Sequence, residues 1–123
     1  MAITGVHHVQ IIIPVGAEEE ARRFYCDLLR LAEVAKPAAL QGRGGFWLQV
    51  GRLQVHVGTE NGVERRATKA HVAYEVNNLP AMKALLQEAG VIILDSIPIP
   101  GYDRCEFRDP FGNRIELIES MNS

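Results

Sequence analysis

Cysteine is scarce in this 123-residue chain. Only Cys26 and Cys105 occur, and neither lies in a CxxC pair. That excludes a disulfide framework and leaves no local thiolate metal motif. A nucleophilic cysteine with a histidine partner is the minority reading; spectator thiols are commoner. An excess of charge is also missing. Thirteen Lys and Arg stand against 15 Asp and Glu, for a net charge of −2. There is no basic footprint for nucleic acid and no polybasic membrane anchor. No apolar run is long enough to span a bilayer, and the start of the chain lacks the charged and apolar regions of a signal peptide. A cytoplasmic protein without nucleic-acid or membrane partners is therefore expected. The run "GRGG" at residues 42–45 lacks the Lys-Ser/Thr of a phosphate-binding loop and leads into no helix, so it reads as a hairpin loop.

What is present is an ordinary globular composition, 47% hydrophobic and 23% charged, sufficient for one compact core or two small halves. Two helices are expected. Over residues 17–31, Ala21, Phe24, Tyr25, Leu28 and Leu29 build one apolar stripe behind Glu18, Glu19 and Glu20, which suit the positive end of a helix dipole. Over residues 80–89, Pro80 fits the first turn, Met82, Leu85, Leu86 and Ala89 form the stripe, and Gly90 stops the helix. Strands are expected at 6–13, 32–36, 46–50, 53–58, 71–76, 91–97, 102–108 and 114–119, separated by Gly, Pro and Asn turns.

The order is strand, helix, three strands, and then the same again. "HVQIIIP" from His8 aligns with "HVAYEVN" from His71, and "VHV" around His56 aligns with "IEL" around Glu116. An internal repeat dividing the chain into modules 1–62 and 63–123 follows, joined by a polar linker in which Arg65, Arg66 and Lys69 read as solvated. Alternation along each strand gives an apolar face for a helix and a second, polar face. His8, His56, His71 and Glu116 all fall on that second face, at positions related by the repeat.

Imidazole nitrogen with carboxylate oxygen is the donor chemistry of Zn, Fe, Ni or Mn. The alternative is four polar residues on a solvated sheet. Trp47 and Gln49 share the polar face of their strand, where Trp47 either walls a cup or joins a core or subunit interface. Arg104 is placed to bind a carboxylate or phosphonate, or to pair with Glu106 or Glu75. Gln10 shares the face of His8, and Tyr102 follows a "PIPG" loop that reads as a flap.

The stretches "HHVQIIIP", "ARRFYCDLLRL", "FWLQVG", "LQVHVG", "AHVAYEV" and above all "RDPFGNRIELIE" resemble the vicinal-oxygen-chelate superfamily. This group includes glyoxalase I, bleomycin-resistance proteins, thiol transferases acting on fosfomycin and extradiol dioxygenases. The resemblance implies an α+β fold of two tandem βαβββ modules, whose mixed sheets curl into a cup with helices on the outer face. It implies one divalent metal ion held by His8, His71 and Glu116, with His56 at the fourth position, and assigns His7 a structural role. A glyoxalase-like reading makes Glu116 the general base. Substrate contacts would come from Trp47, Arg104, Gln10 and Tyr102. Metal-assisted lyase or isomerase chemistry on a small molecule leads, ahead of thiol transfer or ring-cleaving oxygenation. A non-catalytic cup that sequesters an antibiotic-type ligand is the alternative. A homodimer is expected.

Overall fold

The computed structural model describes residues 1–121. The chain divides into two compact units, the first running from Met1 to Val63 and the second beginning at Glu64. The first contains β1 (His8–Ile13), α1 (Glu18–Arg22) continuing as a π-helical stretch (Arg23–Leu28), β2 (Ala32–Val34), a 3-10 helix (Ala38–Arg43), β3 (Phe46–Val50) and β4 (Leu53–Thr59). The second contains β5 (His71–Glu75), α2 (Leu79–Glu88), β6 (Leu94–Asp95), β7 (Tyr102–Arg108) and β8 (Arg114–Ser120), after a short 3-10 turn (Arg65–Ala67). The strand orders are β1-β4-β3-β2 and β5-β8-β7-β6. In each sheet the first and last strands run parallel and the remaining pairs antiparallel. Each unit is thus a βαβββ module, and the fold class is α+β, as the repeat implies.

Alternation explains which residues are buried. In the first unit Ile13, Phe46, Leu48, Val55 and Val57 join Ala21, Phe24 and Tyr25 of the helix; in the second, Tyr74, Cys105, Phe107, Ile115 and Leu117 accompany Leu79 and Leu86. Each large side chain removed from water contributes about 1.5–3 kcal/mol. Burial pushes both thiols upward, at Cys26 and at the fully buried Cys105, so neither behaves as an activated nucleophile.

Three differences from the sequence expectations have physical causes. The first helix widens into π geometry at Arg23, with Leu29 N–H donating to Phe24 O at 3.0 Å, and Arg30 then takes φ 64°, where glycine is usual. The strand expected over 91–97 shrinks to Leu94–Asp95. Val91 N–H is used to cap α2 on Leu86 O at 2.9 Å, and Ile97 O accepts from the Arg104 guanidinium at Nε, 2.9 Å. The "GRGG" run is not a plain hairpin loop, because it begins inside the 3-10 helix. Gly44 and Gly45 then take φ 75° and 78°, and a Cβ on Gly45 would lie 2.1 Å from Val57 O. Only glycine fits there.

Of the linker cations, Arg65 is half-buried and less solvated than expected, while Arg66 and Lys69 are exposed. Arg65 Nε donates to Phe111 O at 2.9 Å, and the Arg66 stem lies over Gly112, leaving only 2.7 Å for a Cβ. Both hold the Asp109–Asn113 turn that precedes β8. Asp109, 3% exposed, organises that turn: Oδ1 accepts from Phe111 N–H (2.9 Å) and Asn113 N–H (2.8 Å), and Oδ2 from Asn113 Nδ2 (2.8 Å). The "DPFGN" motif is therefore a device for setting the register of β8, and with it the position of Glu116.

Candidate metal and ligand site

In the first unit the polar face of the sheet assembles a cluster of rings. The register sets Gln10 beside His56 across β1 and β4, and His56 beside Trp47 across β4 and β3. The Trp47 ring stacks on His56 with centroids 3.9 Å apart and planes 1° apart. On His56 the His8 ring stacks as well, at 4.0 Å and 16°. His56 is buried between them, and its Nε2–H donates to Gln54 Oε1 at 2.9 Å. His7 and His8 approach through their Nδ1 atoms at 3.0 Å.

His7, His8, Gln10, Trp47 and His56 line a cavity of about 550 Å³ together with Lys36, Leu40, Arg43 and Gly44. His7 thus lines the cavity, whereas the sequence reading gave it a structural role away from this face. The side chain of Gln10 lies against Gly58, where a Cβ would meet its amide at 2.9 Å. Sequence reasoning missed Gln54, Lys36 and Arg43. Lys36 is expected at the end of a strand over 32–36, but that strand stops at Val34, and Arg43 closes a 3-10 helix where a hairpin loop is expected.

Burial is the main cause holding His56 below its ordinary value near 6.5, followed by positive charge from His8, His7 and Lys36. A base whose folded pKa is depressed contributes stability above its unfolded pKa and loses it as pH falls through the folded value. The metal-free protein is therefore expected to lose Tm as pH is lowered from 7.5 toward 5. His56→Gln should flatten that dependence in parallel thermal melts; an unchanged slope would remove His56 as its source.

In the second unit, β5 and β8 place His71 and Glu116 on one face, with Ala73 directly opposite Glu116. His71 Nδ1 lies 2.9 Å from Lys69 O. A carbonyl only accepts, so Nδ1 carries a proton and donates to it, which turns Nε2 toward Glu116. That nitrogen sits 3.3 Å from Oε1 of Glu116, which is 5% exposed. Either an Nε2–H donated to the carboxylate or a cation shared by the two atoms accounts for this approach. A ligating imidazole commonly has its other nitrogen anchored in this manner.

Arg104 NH1 also reaches Oε1 of Glu116, at 3.1 Å, and Arg114 Nε pairs with Glu106 Oε2 at 2.6 Å. Arg104 is therefore engaged by Glu116 and Ile97 O rather than by Glu106 or Glu75. Tyr102 lies at the start of β7, opposite Ser120, four residues along the strand from Glu106, which faces Glu116.

The expected donors thus come in pairs, His8 with His56 and His71 with Glu116. Among the described residues no group of three or more His, Cys, Asp or Glu gathers as a metal site. The chemistry of the second pair fits a divalent metal: one imidazole nitrogen and one buried carboxylate, with the imidazole anchored from behind. The first pair fits less well as placed. Nearly parallel rings direct their in-plane lone pairs side by side rather than toward one point.

The glyoxalase/bleomycin resistance protein/dioxygenase superfamily model matches residues 5–117. A solved structure from Bacillus anthracis, provisionally assigned to the glyoxalase family, is 39% identical, with TM-score 0.90 over 98% of both chains. TnmS3, an antibiotic binding protein from Streptomyces sp. CB03234, shares 22% identity and TM-score 0.74 over 98% of both chains. The fosfomycin resistance protein FosX from Listeria monocytogenes, solved with Mn(II) and a sulfate ion, shares 14% identity and TM-score 0.77 over 98% of this chain and 94% of that one. A search of the curated proteins finds no match. The chain belongs to the glyoxalase/bleomycin resistance protein/dioxygenase superfamily, whose members bind small molecules, often use a divalent metal and include enzymes. Among the described residues no helix is long and apolar enough to cross a membrane.

Proposed function

We propose that this chain is a divalent-metal-dependent enzyme acting on a small organic substrate, with lyase or isomerase chemistry favoured. The observation that carries this reading is the pair formed by Nε2 of His71, whose Nδ1 is anchored on Lys69 O, and the buried carboxylate of Glu116, 3.3 Å apart. His71 and Glu116, both in the second module, are the proposed metal donors. His56, stacked and hydrogen-bonded, is proposed as cup wall in place of the fourth ligand. When bound, the metal supplies Lewis-acid polarisation of a substrate oxygen. The chain's own residues do the remainder. Glu116 takes up a substrate proton, and Arg104 at Oε1 holds the carboxylate in position for that transfer. Trp47 and Gln10 bound the substrate in the first module, and Tyr102 acts as a flap residue beyond the "PIPG" loop.

A second reading has its own support: the cavity walled by Trp47, His56 and Leu40 also suits a protein that sequesters an antibiotic-type ligand without reacting. Turnover separates the two. Metal-loaded protein is offered a hemithioacetal, an epoxide with a thiol, and a catechol with oxygen. Turnover of any one, reduced about 100-fold or more in Glu116→Gln, is the expected result. Tight retention of a ligand with no turnover under any metal would replace the enzyme by the sequestering cup.

A further inference from the structure

Every ionisable side chain lining the cavity of the first unit is basic or neutral: His7, His8, Lys36, Arg43 and His56, with no Asp or Glu among the lining residues. Lys36 is held at the wall by donating from Nζ to Gly44 O at 2.7 Å, and an ammonium carries three donors, so two remain for a ligand. The positive φ of Gly44 and Gly45 turns the chain tightly after Arg43, and the close approach of Gly45 to Val57 O pins that turn to β4. Arg43 therefore stands at the cavity from the end of the 3-10 helix. The remaining wall mixes polar Gln10 and Thr59 with apolar Leu40, Val57 and the Trp47 ring, which supplies the flat surface. A volume of about 550 Å³ lies within the range that encloses most of a small ligand.

We infer that this cavity is a binding site for small planar organic anions, with a carboxylate or phosphonate set against Lys36 and Arg43 and the ring body lying on Trp47 and Leu40. Guanidinium and ammonium groups supply charge-assisted donors for such a head group, and an aromatic wall favours a flat body. This rests on the reading of the first module as the substrate cup and names the substrate class for it. The cation pair acts on the ligand directly, so the preference holds without metal.

The test uses protein stripped with a chelator, titrated by calorimetry with 2-naphthoate and with its neutral isostere 2-naphthamide. The acid should bind about tenfold or more tightly than the amide. Lys36→Met and Arg43→Met should each weaken the acid about tenfold while leaving the amide within about twofold, and Lys36→Arg should restore most of the loss. Equal binding of acid and amide, no binding of either at millimolar concentration, or an acid affinity unmoved by the double Met variant would overturn the inference. Removing the metal first keeps the outcomes separable. Naphthoate binding in a protein that takes up no metal upholds this site and sinks the metalloenzyme, and metal uptake without acid preference does the reverse.

Discussion

Glu116→Leu is expected to destabilise the protein by about 3 kcal/mol, and Arg104→Met/Glu116→Leu to recover most of that loss. Glu116 and Arg104 form a pair whose side chains are 7% and 17% exposed, with NH1 and Oε1 3.1 Å apart. Removing the carboxylate alone leaves a guanidinium in low dielectric with only the Ile97 carbonyl to receive it. Removing both leaves an apolar contact on the sheet, which is close to neutral when volumes match. Urea unfolding with an unchanged m-value would report the two differences. A double variant no more stable than the single one would show that Arg104 does not depend on Glu116, and its assignment as a positioning residue would fall with it.

Asp109→Ala is expected to cost about 3 kcal/mol by the same measurement. Its carboxylate is almost fully enclosed and accepts two backbone N–H groups and the Asn113 amide. Truncation strands these donors in a turn that Arg65 and Arg66 cover, and hydrogen bonds to a charged acceptor contribute about 1.5–3 kcal/mol each before partial compensation by water. Asp109→Asn should fall between, since an amide oxygen in the place of Oδ1 still accepts from both backbone N–H groups while its NH2 faces the Asn113 Nδ2 donor. A loss below about 1 kcal/mol for Asp109→Ala would mean that the turn is held chiefly by Gly112 and the arginines.

The two βαβββ modules were legible because strand alternation and helical stripes are period signals, and the repeat of His8 at His71 doubles each of them. The shared face of His71 and Glu116 followed from the same parity, since parallel β5 and β8 keep partners on one side. Parity says nothing about reach. The sequence offered Arg104 either Glu106 or Glu75, and the structure pairs it with Glu116 instead, Glu106 being held by Arg114. The orientation of His56 was equally hidden, because a strand position fixes a face but not the rotamer that stacks an imidazole on Trp47. Lys36 and Arg43 were missed for another reason: Lys36 reads as the end of a strand that stops at Val34, and Arg43 as part of a hairpin loop, while the path between them is set by Pro37, Gly44 and Gly45. The edge strand β6 was overestimated because an apolar run reads as a strand even when Val91 and Ile97 spend their backbone groups elsewhere.

The central claim is that His71 and Glu116 hold a divalent metal, and elemental mass spectrometry on protein purified without chelators or a metal-affinity column tests it most directly. About one equivalent of Zn, Ni, Fe or Mn is expected, retained in Gln49→Ala and lost in both His71→Ala and Glu116→Gln. A protein that carries no metal and takes up none of the four on titration, or one whose metal survives both substitutions, would contradict the account.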